Sequence, residues 1–238
     1  MGIRWVTAFL DSPSPASPAS EAFWAAATGS AGWSARRGPG GAFATLLPAS
    51  GDAYVRVQVV GDGPPRVHLD LHTGDVPALA SHARSLGAVR VFAEPGLVVL
   101  RSPAGLAFCV VAWDGESQRP APVGVSLLDQ VCLDLPAGGF DDEAGFWQAL
   151  TGWPRRPSDL PQFDHLVRGD GLPLRLLLQR TGGTAAGMHL DFACADVPAE
   201  TARHVGLGAS VVRAVPHEWT TLRDPAGREY CLTYRWPG

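Results

Sequence analysis

Residues 222–232 read LRDPAGREYCL, and residues 100–110 read LRSPAGLAFCV. In each string a Pro-Ala-Gly turn is followed by a short apolar stretch that is typical of a β-strand. A single string of this kind carries little information, but two copies at an offset of 122 positions (222 against 100) are hard to obtain by chance. The pair therefore predicts that the chain contains one structural plan twice.

Four further pairs of blocks recur in the same order and at almost the same offset. They are FWAAATG (23–29) with FWQALTG (146–152), VHLDL (67–71) with MHLDF (188–192), GDVPA (74–78) with ADVPA (195–199), and LGAVRV (86–91) with LGASVV (207–212). This order predicts two homologous domains, at residues 1–113 and 127–238. The Pro-rich, polar stretch between the two domains predicts a linker at residues 114–126.

The second domain shows the predicted order of elements most clearly. Residues 127–135 alternate as in a half-buried strand, and residues 141–152 begin with acidic residues and end in glycine, as a helix does. A Gly-Asp-Gly turn at 169–171 indicates a hairpin. Residues 188–194 predict a strand and residues 196–208 a helix, and three short strands follow. Each domain is therefore expected to consist of two similar half-modules.

The blocks FWxxxTG, HLDL or HLDF followed by DVPA, LGA, and LRDPAGREYCL resemble those of the glyoxalase / bleomycin-resistance / extradiol-dioxygenase (vicinal oxygen chelate) superfamily. The chain is most similar to tandem bacterial glyoxalase-like domains, and the resemblance covers nearly its whole length. It implies an α+β fold of two tandem domains, each of paired βαβββ modules with a curved mixed sheet around a pocket. The pocket holds a divalent metal in the enzymes and a bare ligand in the resistance proteins.

The resemblance also implies where metal ligands stand in those members that use a metal. In the second domain the first-strand position falls on Gln130, a later strand contributes His189, and Cys231 stands where Glu is usual. The remaining position lies within LRLLLQ (174–179). Because a zinc site needs three or four good ligands, the resemblance implies a binding site without a metal or another cofactor.

The first domain offers fewer ligands. By the same resemblance its first-strand position falls on Trp5, and its other positions fall on His68, Cys109 and a residue of YVRVQVV (54–60). The bulky Trp5 is expected to plug the pocket, so the second domain is expected to hold the working site and the first a relic of one. Both cysteines are interpreted as small apolar side chains that fill the space of a lost carboxylate.

Strand alternation extends this candidate site. Asp191 follows His189 by two residues and shares its face of the strand, and Asp70 has the same relation to His68. A carboxylate beside an imidazole orients its tautomer and makes it a general base or a hydrogen-bonding anchor. The alternative is a satisfied core histidine, with Asp191 capping a neighbouring loop. The further residues predicted to line the ligand pocket are Gln130, Asp134, Trp219, Glu229 and Cys231.

Two functions of different classes remain open at this point. In the first, the protein binds a small apolar or aromatic molecule without a metal, as resistance proteins sequester a toxic compound. In the second, it is a lyase- or isomerase-type enzyme that uses His189 for proton transfer, with or without a metal. A fold that serves many functions does not choose the ligand.

Composition restricts the partners. The net charge is −4 with no basic block, which argues against nucleic acid, and no apolar run is long enough to cross a bilayer. The start of the chain lacks a signal-peptide pattern, so a cytoplasmic location is expected. Because the duplication supplies within one chain the partner surface that a second copy would provide, the protein is expected to be a monomer or a homodimer. All 19 basic residues are arginines, so no lysine is available for a Schiff base. His165 and His204 match no motif and are interpreted as surface residues.

Overall fold

A computed structural model describes residues 2–237 of the chain. Its first half contains eight strands and two α-helices. They are β1 (Ile3–Pro13), α1 (Ser17–Ala27), β2 (Gly32–Trp33), β3 (Phe43–Leu47), β4 (Val55–Val60), β5 (Arg66–Thr73), α2 (Val76–Ser85), β6 (Val89–Glu94), β7 (Leu97–Arg101) and β8 (Ala107–Ala112).

The second half repeats this order element by element. It contains β9 (Ser126–Pro136), α3 (Phe140–Thr151), β10 (Arg155–Pro157), β11 (Phe163–Leu166), β12 (Arg175–Thr181), β13 (Gly187–Cys194), α4 (Val197–Gly206), β14 (Ser210–Val215), β15 (Trp219–Arg223) and β16 (Glu229–Tyr234). The predicted strands and helices of this half are all present. The short β10, which pairs with β11, was not predicted because its Arg-Arg-Pro sequence has no strand pattern.

The strands form two eight-stranded sheets of identical topology. Their orders are β2-β3-β4-β1-β5-β8-β7-β6 and β10-β11-β12-β9-β13-β16-β15-β14. Strands β5 and β8 run parallel, as do β13 and β16, whereas the hairpins are antiparallel, so both sheets are mixed. The predicted α+β class and the tandem βαβββ arrangement are therefore confirmed.

The first turns of α2 and α4 explain why DVPA recurs. The carboxylate of Asp75 accepts a hydrogen bond of 3.0 Å from the Ala78 amide, and the carboxylate of Asp196 accepts one of 3.0 Å from the Ala199 amide. An N-cap aspartate followed by proline in the first turn satisfies and pre-organises the start of a helix. None of the four helices within residues 2–237 has the length and apolar character needed to span a bilayer.

The chain divides into two compact units, and each takes one half-module from each sequence repeat. The first unit comprises the residues up to Ala8, His68–Gln118 and Val131–Met188. The second comprises Phe9–Val67, Arg119–Gln130 and the residues from His189 onward. These units differ from the two domains predicted from the sequence repeat. The predicted domain boundaries at 113 and 127 therefore remain a prediction.

In the first unit, α3 of the second repeat packs on the Pro-Ala-Gly turn of the first. The carboxylate of Glu143, which is buried, accepts a hydrogen bond of 2.8 Å from Trp147 Nε1 and another of 2.8 Å from the Ala104 amide. The Trp147 ring also contacts the ring of Phe108, with 5.2 Å between centroids. One buried carboxylate is thus satisfied by both elements that it joins.

In the second unit, α1 packs on the matching turn, but the carboxylate belongs to the turn. Trp24 Nε1 donates a hydrogen bond of 2.7 Å to Asp224 Oδ2, and Arg228 Nη1 donates one of 2.6 Å to the same oxygen. The buried Arg228 guanidinium also donates to the Asp11 carbonyl at 2.6 Å. This difference explains why the second repeat reads LRDPAGREY where the first reads LRSPAGLAF.

The interpretation of His204 as a surface residue is wrong. Its side chain lies on the inner side of α4 and is fully buried, against the ring of Phe192 at 5.1 Å. His204 Nδ1 and the Tyr230 hydroxyl share a hydrogen bond of 2.9 Å. His165 is half-buried on β11. A single histidine on a helix does not reveal which face it occupies when the aromatic residues that cover it come from other elements, here β13 and β16.

Candidate functional site

Strands β13 and β16 bring three of the predicted site residues together in the second unit. His189 and Asp191 lie on one face of β13, and the parallel register of β16 places Cys231 opposite Asp191. One ligand atom from each of these residues lies within 4.8 Å of the others. Gln130, from β9, completes this group, which we call the His189 cluster (Gln130, His189, Asp191 and Cys231).

The Asp191 carboxylate is the centre of the His189 cluster. Its Oδ2 accepts a hydrogen bond of 2.5 Å from Gln130 Nε2, and its Oδ1 lies 3.3 Å from His189 Nε2. Asp191 is only 2% exposed, and within residues 2–237 its Oδ1 accepts no hydrogen bond. The carboxylate therefore faces the imidazole and the Gln130 amide rather than the backbone of a loop.

Access to the cluster is greatest at the imidazole. The His189 side chain is 17% exposed, whereas Gln130 and Cys231 are buried. The Cys231 thiol shares a hydrogen bond of 3.5 Å with the Thr221 hydroxyl. The guanidinium of Arg228 is bound to Asp224 and does not supply the positive charge that an activated thiolate needs.

Thr221 is a site residue that the sequence interpretation missed. It lies directly opposite Cys231 in the antiparallel β15–β16 hairpin. The signal was present, because a hairpin centred on the Asp-Pro-Ala-Gly turn pairs residues at equal distances from that turn. The same register pairs Trp219 with Thr233, so Trp219, Thr221 and Cys231 share one face of the sheet.

One of the other predicted pocket residues, Glu229, lies outside the His189 cluster. Glu229 begins β16 at the surface, and its carboxylate accepts a hydrogen bond of 2.7 Å from Arg223 Nη2, so it does not join the His189 cluster. Trp219 is half-buried at the start of β15. Asp134 is half-buried and belongs to the first unit.

A second cluster of the same composition lies in the first unit. His68, Asp70 and Cys109 each bring one ligand atom within 4.8 Å of the others, and Asp70 lies opposite Cys109 in the parallel β5–β8 register. His68 Nε2 lies 3.8 Å from Asp70 Oδ1. The first repeat thus retains the same three side chains in contact, so these residues alone do not mark it as a relic.

The two clusters differ at the first strand, where the placement of Trp5 is wrong by two residues. Strands β1 and β9 have equal length and start 123 positions apart (126 against 3), which matches Gln130 with Thr7. The Thr7 hydroxyl shares a hydrogen bond of 2.9 Å with Nε2 of the buried His72. Gln130, by contrast, donates its amide hydrogen to Asp191.

Comparison with known proteins agrees with this architecture. The family described as Glyoxalase-like domain matches the chain at residues 7–111 and again at residues 130–233. No curated protein matches the chain significantly. Among solved structures, a mutant of 4-hydroxymandelate synthase from Streptomyces coelicolor is 17% identical with a TM-score of 0.63, covering 100% of this chain and 94% of that one.

Two dioxygenases are also similar in structure. A 2,2′,3-trihydroxybiphenyl 1,2-dioxygenase from Sphingomonas wittichii is 12% identical with a TM-score of 0.62, covering 98% of this chain and 90% of that one. A variant of homoprotocatechuate 2,3-dioxygenase from B. fuscum is 11% identical with a TM-score of 0.66, covering 98% and 71%. At these identities the likeness concerns the fold alone.

Proposed function

Because the chain belongs to the glyoxalase-like domain family, with two domains in tandem, we propose that it binds a small apolar or aromatic molecule at the His189 cluster, without a metal. The observation that carries this proposal is the partly exposed His189 imidazole backed by the buried Asp191–Gln130 pair. The ligand carries one polar group, which exchanges a hydrogen bond with the imidazole.

The buried pair prepares the imidazole for this role. A carboxylate 3.3 Å from Nε2 favours a proton on that nitrogen and leaves Nδ1 as the second hydrogen-bonding atom of the ring. The Gln130 amide holds the other carboxylate oxygen, so Asp191 cannot turn away from His189 without losing a hydrogen bond. An anchor that is already oriented loses less conformational entropy when a ligand arrives.

The neighbouring strands offer an apolar and aromatic surface on the same face. The sulfur of Cys231 is a soft apolar group, and Trp219 lies on this face of the sheet through its register with Thr233. The indole ring of a half-buried tryptophan provides a flat surface on which an aromatic ligand stacks. This combination supports an aromatic ligand over a purely polar one.

The experiment that tests this function is calorimetric titration with phenol and catechol, using two matched histidine variants. His189→Ala is expected to weaken binding at least about tenfold, as loss of a buried-site hydrogen bond predicts. His68→Ala, the equivalent change in the first repeat, should leave the affinity unchanged. Equal affinity of the wild type and His189→Ala would place the ligand elsewhere and refute the proposal.

A second candidate function, proton-transfer chemistry assisted by a metal, is favoured by one specific observation. The ligand atoms of His189, Asp191 and Cys231 lie within 4.8 Å of one another, and imidazole, carboxylate and thiolate are all zinc ligands. The 3.3 Å between His189 Nε2 and Asp191 Oδ1 is close to the separation, about 3.4 Å, of two ligands on one tetrahedral zinc ion.

These three residues would hold a zinc-type ion, and Asp191 Oδ1 has an acceptor position available for it. Such an ion acts as a Lewis acid towards a substrate oxygen. His189 would then serve as a ligand, so the two candidate functions assign it different roles. If the protein is instead an enzyme that works without a metal, His189 itself accepts the substrate proton.

Metal analysis separates these candidates. Protein purified without a chelator is expected to contain stoichiometric zinc if the second function is correct, and Cys231→Ser should lose it. Cys194→Ser is the matched control, because Cys194, on β13, is buried like Cys231 but does not belong to the His189 cluster. Burial raises the pKa of its thiol to about 12. Wild-type protein that contains no metal as purified, and whose stability a chelator does not change, would refute the metal-assisted function.

A further inference from the structure

A small pocket in the second unit lies apart from the His189 cluster. Its volume is 60 Å³, and it lies between the end of α1, the loop that joins β3 to β4, and residues 120–128. The side chains of Leu46, Val55 and Phe192 form much of its wall, and none of the lining residues within 2–237 is charged. None of the four residues of the His189 cluster contributes to this wall.

One wall of the pocket, which we call the roof (residues 119–123), belongs to the segment 114–126 that the sequence predicts to be a linker. Two glycines hold it in place by close approach of the backbone. A Cβ at Gly51 (φ +77°) would lie 2.5 Å from the Arg119 carbonyl oxygen, and one at Gly29 (φ +59°) would lie 2.6 Å from the Val123 side chain. Pro120 contributes further stiffness, so the roof is a built part of the pocket.

Most hydroxyl groups around the pocket already have partners. The Thr28 hydroxyl donates a hydrogen bond of 2.7 Å to the Trp24 carbonyl, and the Ser126 hydroxyl donates one of 2.7 Å to Glu200. These groups are therefore occupied by the fold itself, and they add little to the recognition of a ligand.

Tyr54 is different. The Tyr54 side chain is buried and is part of the pocket wall. Within the described part of the chain its hydroxyl makes no hydrogen bond. Burial, together with the nearby charge of Asp129, raises the pKa of Tyr54, so the phenol keeps its proton and remains a donor. Asp129 itself is held by two hydrogen bonds of 2.7 and 2.8 Å from Arg235.

We propose that this pocket binds the carbonyl end of a small neutral molecule, such as a short ketone, aldehyde or ester, with the Tyr54 hydroxyl donating to the carbonyl oxygen. An uncharged wall excludes ionic ligands, because a charge without a partner is costly to bury. A cavity of about 150 Å³ holds the six carbons of benzene, so 60 Å³ admits about two or three non-hydrogen atoms, which is the size of the carbonyl end alone.

The test uses methyl-labelled protein and two probes of almost equal shape, 2-butanone and 2-methyl-1-butene. Both are expected to shift the methyl resonances of Leu46 and Val55 in a saturable way. Tyr54→Phe should weaken 2-butanone binding at least about fivefold and leave the alkene unchanged, because only the ketone accepts a hydrogen bond. Tyr234→Phe, at an exposed tyrosine, is the matched control and should change neither.

A pocket-filling variant provides an independent check. Ala49 lines the pocket but is otherwise exposed, so Ala49→Leu is expected to abolish binding of both probes without loss of folding. Equal binding of 2-butanone by the wild type and Tyr54→Phe overturns the proposal. Shifts that rise linearly without saturation overturn it as well, since they indicate a pocket that holds ordered water only.

Discussion

Gln130 and Asp191 are joined by a hydrogen bond of 2.5 Å from the Gln130 amide nitrogen to Asp191 Oδ2, on neighbouring strands of one sheet. Both side chains are buried, so this bond is the support of a carboxylate whose other oxygen faces His189. In the first repeat the residue at the position of Gln130 is Thr7, and its hydroxyl bonds to His72. The two clusters thus contain the same three residue types, His, Asp and Cys, and differ in the residue that the first strand contributes.

The first prediction concerns this support. Gln130→Leu removes the donor and leaves Asp191 Oδ2 buried without it, which costs about 1–3 kcal/mol in the free energy of unfolding. Urea denaturation of the variant should show this loss. Gln148→Leu, at an exposed position of α3, is the control and should change the free energy by less than about 0.5 kcal/mol. Equal stability of the two variants would contradict the assigned hydrogen bond.

The second prediction compares two arginine–carboxylate pairs in the same turn region. Arg228→Met strands the buried charge of Asp224 and should destabilise the protein by about 3–5 kcal/mol. Arg223→Met breaks an ion pair with Glu229 in which both side chains are about half exposed, and should cost less than about 1 kcal/mol. Thermal and urea denaturation measure both variants. Similar losses would contradict the difference in burial.

Local patterns in the sequence predicted much of the site. Strand alternation placed Asp191 beside His189, and the repeated turn placed Cys231 on the last strand, and the structure brings these three residues together. The first strand was harder, because β1 and β9 share only a short Leu-Asp-x-Pro match at their ends, residues 10–13 and 133–136. That match and the equal lengths of the two strands both place Thr7, and not Trp5, at the position of Gln130.

Non-local pairing explains what the sequence did not predict. The buried carboxylate that joins helix and turn comes from Glu143 in one unit and from Asp224 in the other, so neither repeat alone shows the arrangement. The burial of His204 depends likewise on Phe23 and Tyr230, which lie on elements that are distant from α4 in sequence. Periodicity within one helix carries no information about such partners.

The third prediction is a loss of stability in mild acid that originates at His204. Burial, with the nearby charge of Arg203, lowers the pKa of His204 from 6.5 to about 4. Between these values the unfolded chain binds a proton that the folded protein does not, so the free energy of unfolding falls as the pH falls from 6.5 to 4. The full difference corresponds to ~3 kcal/mol.

Urea denaturation at several pH values checks this prediction. His204→Gln should flatten the dependence between pH 6.5 and about 4. A further decline at lower pH should remain, because burial raises the pKa of Glu200 but hydrogen bonds from Arg203 and Ser126 lower it more. Stability that is independent of pH in this range for the wild type would show that His204 is not the neutral, buried group described.

The last prediction concerns the roof above Tyr54. Gly51→Ala places a methyl group 2.5 Å from the Arg119 carbonyl oxygen, which is backbone and cannot yield without moving the roof segment. We expect a loss of about 1–3 kcal/mol in the free energy of unfolding, together with weaker binding of 2-butanone. Gly40→Ala is the matched control, because Gly40 also has a positive φ of +61° but no atom lies within 4 Å of the place that a Cβ would take there. Gly40→Ala therefore incurs only the conformational cost of about 1 kcal/mol and should leave 2-butanone binding unchanged. If both variants weaken 2-butanone binding equally, the close contact at Gly51 does not hold the roof in place. The assignment of residues 119–123 to the pocket wall would then be incorrect.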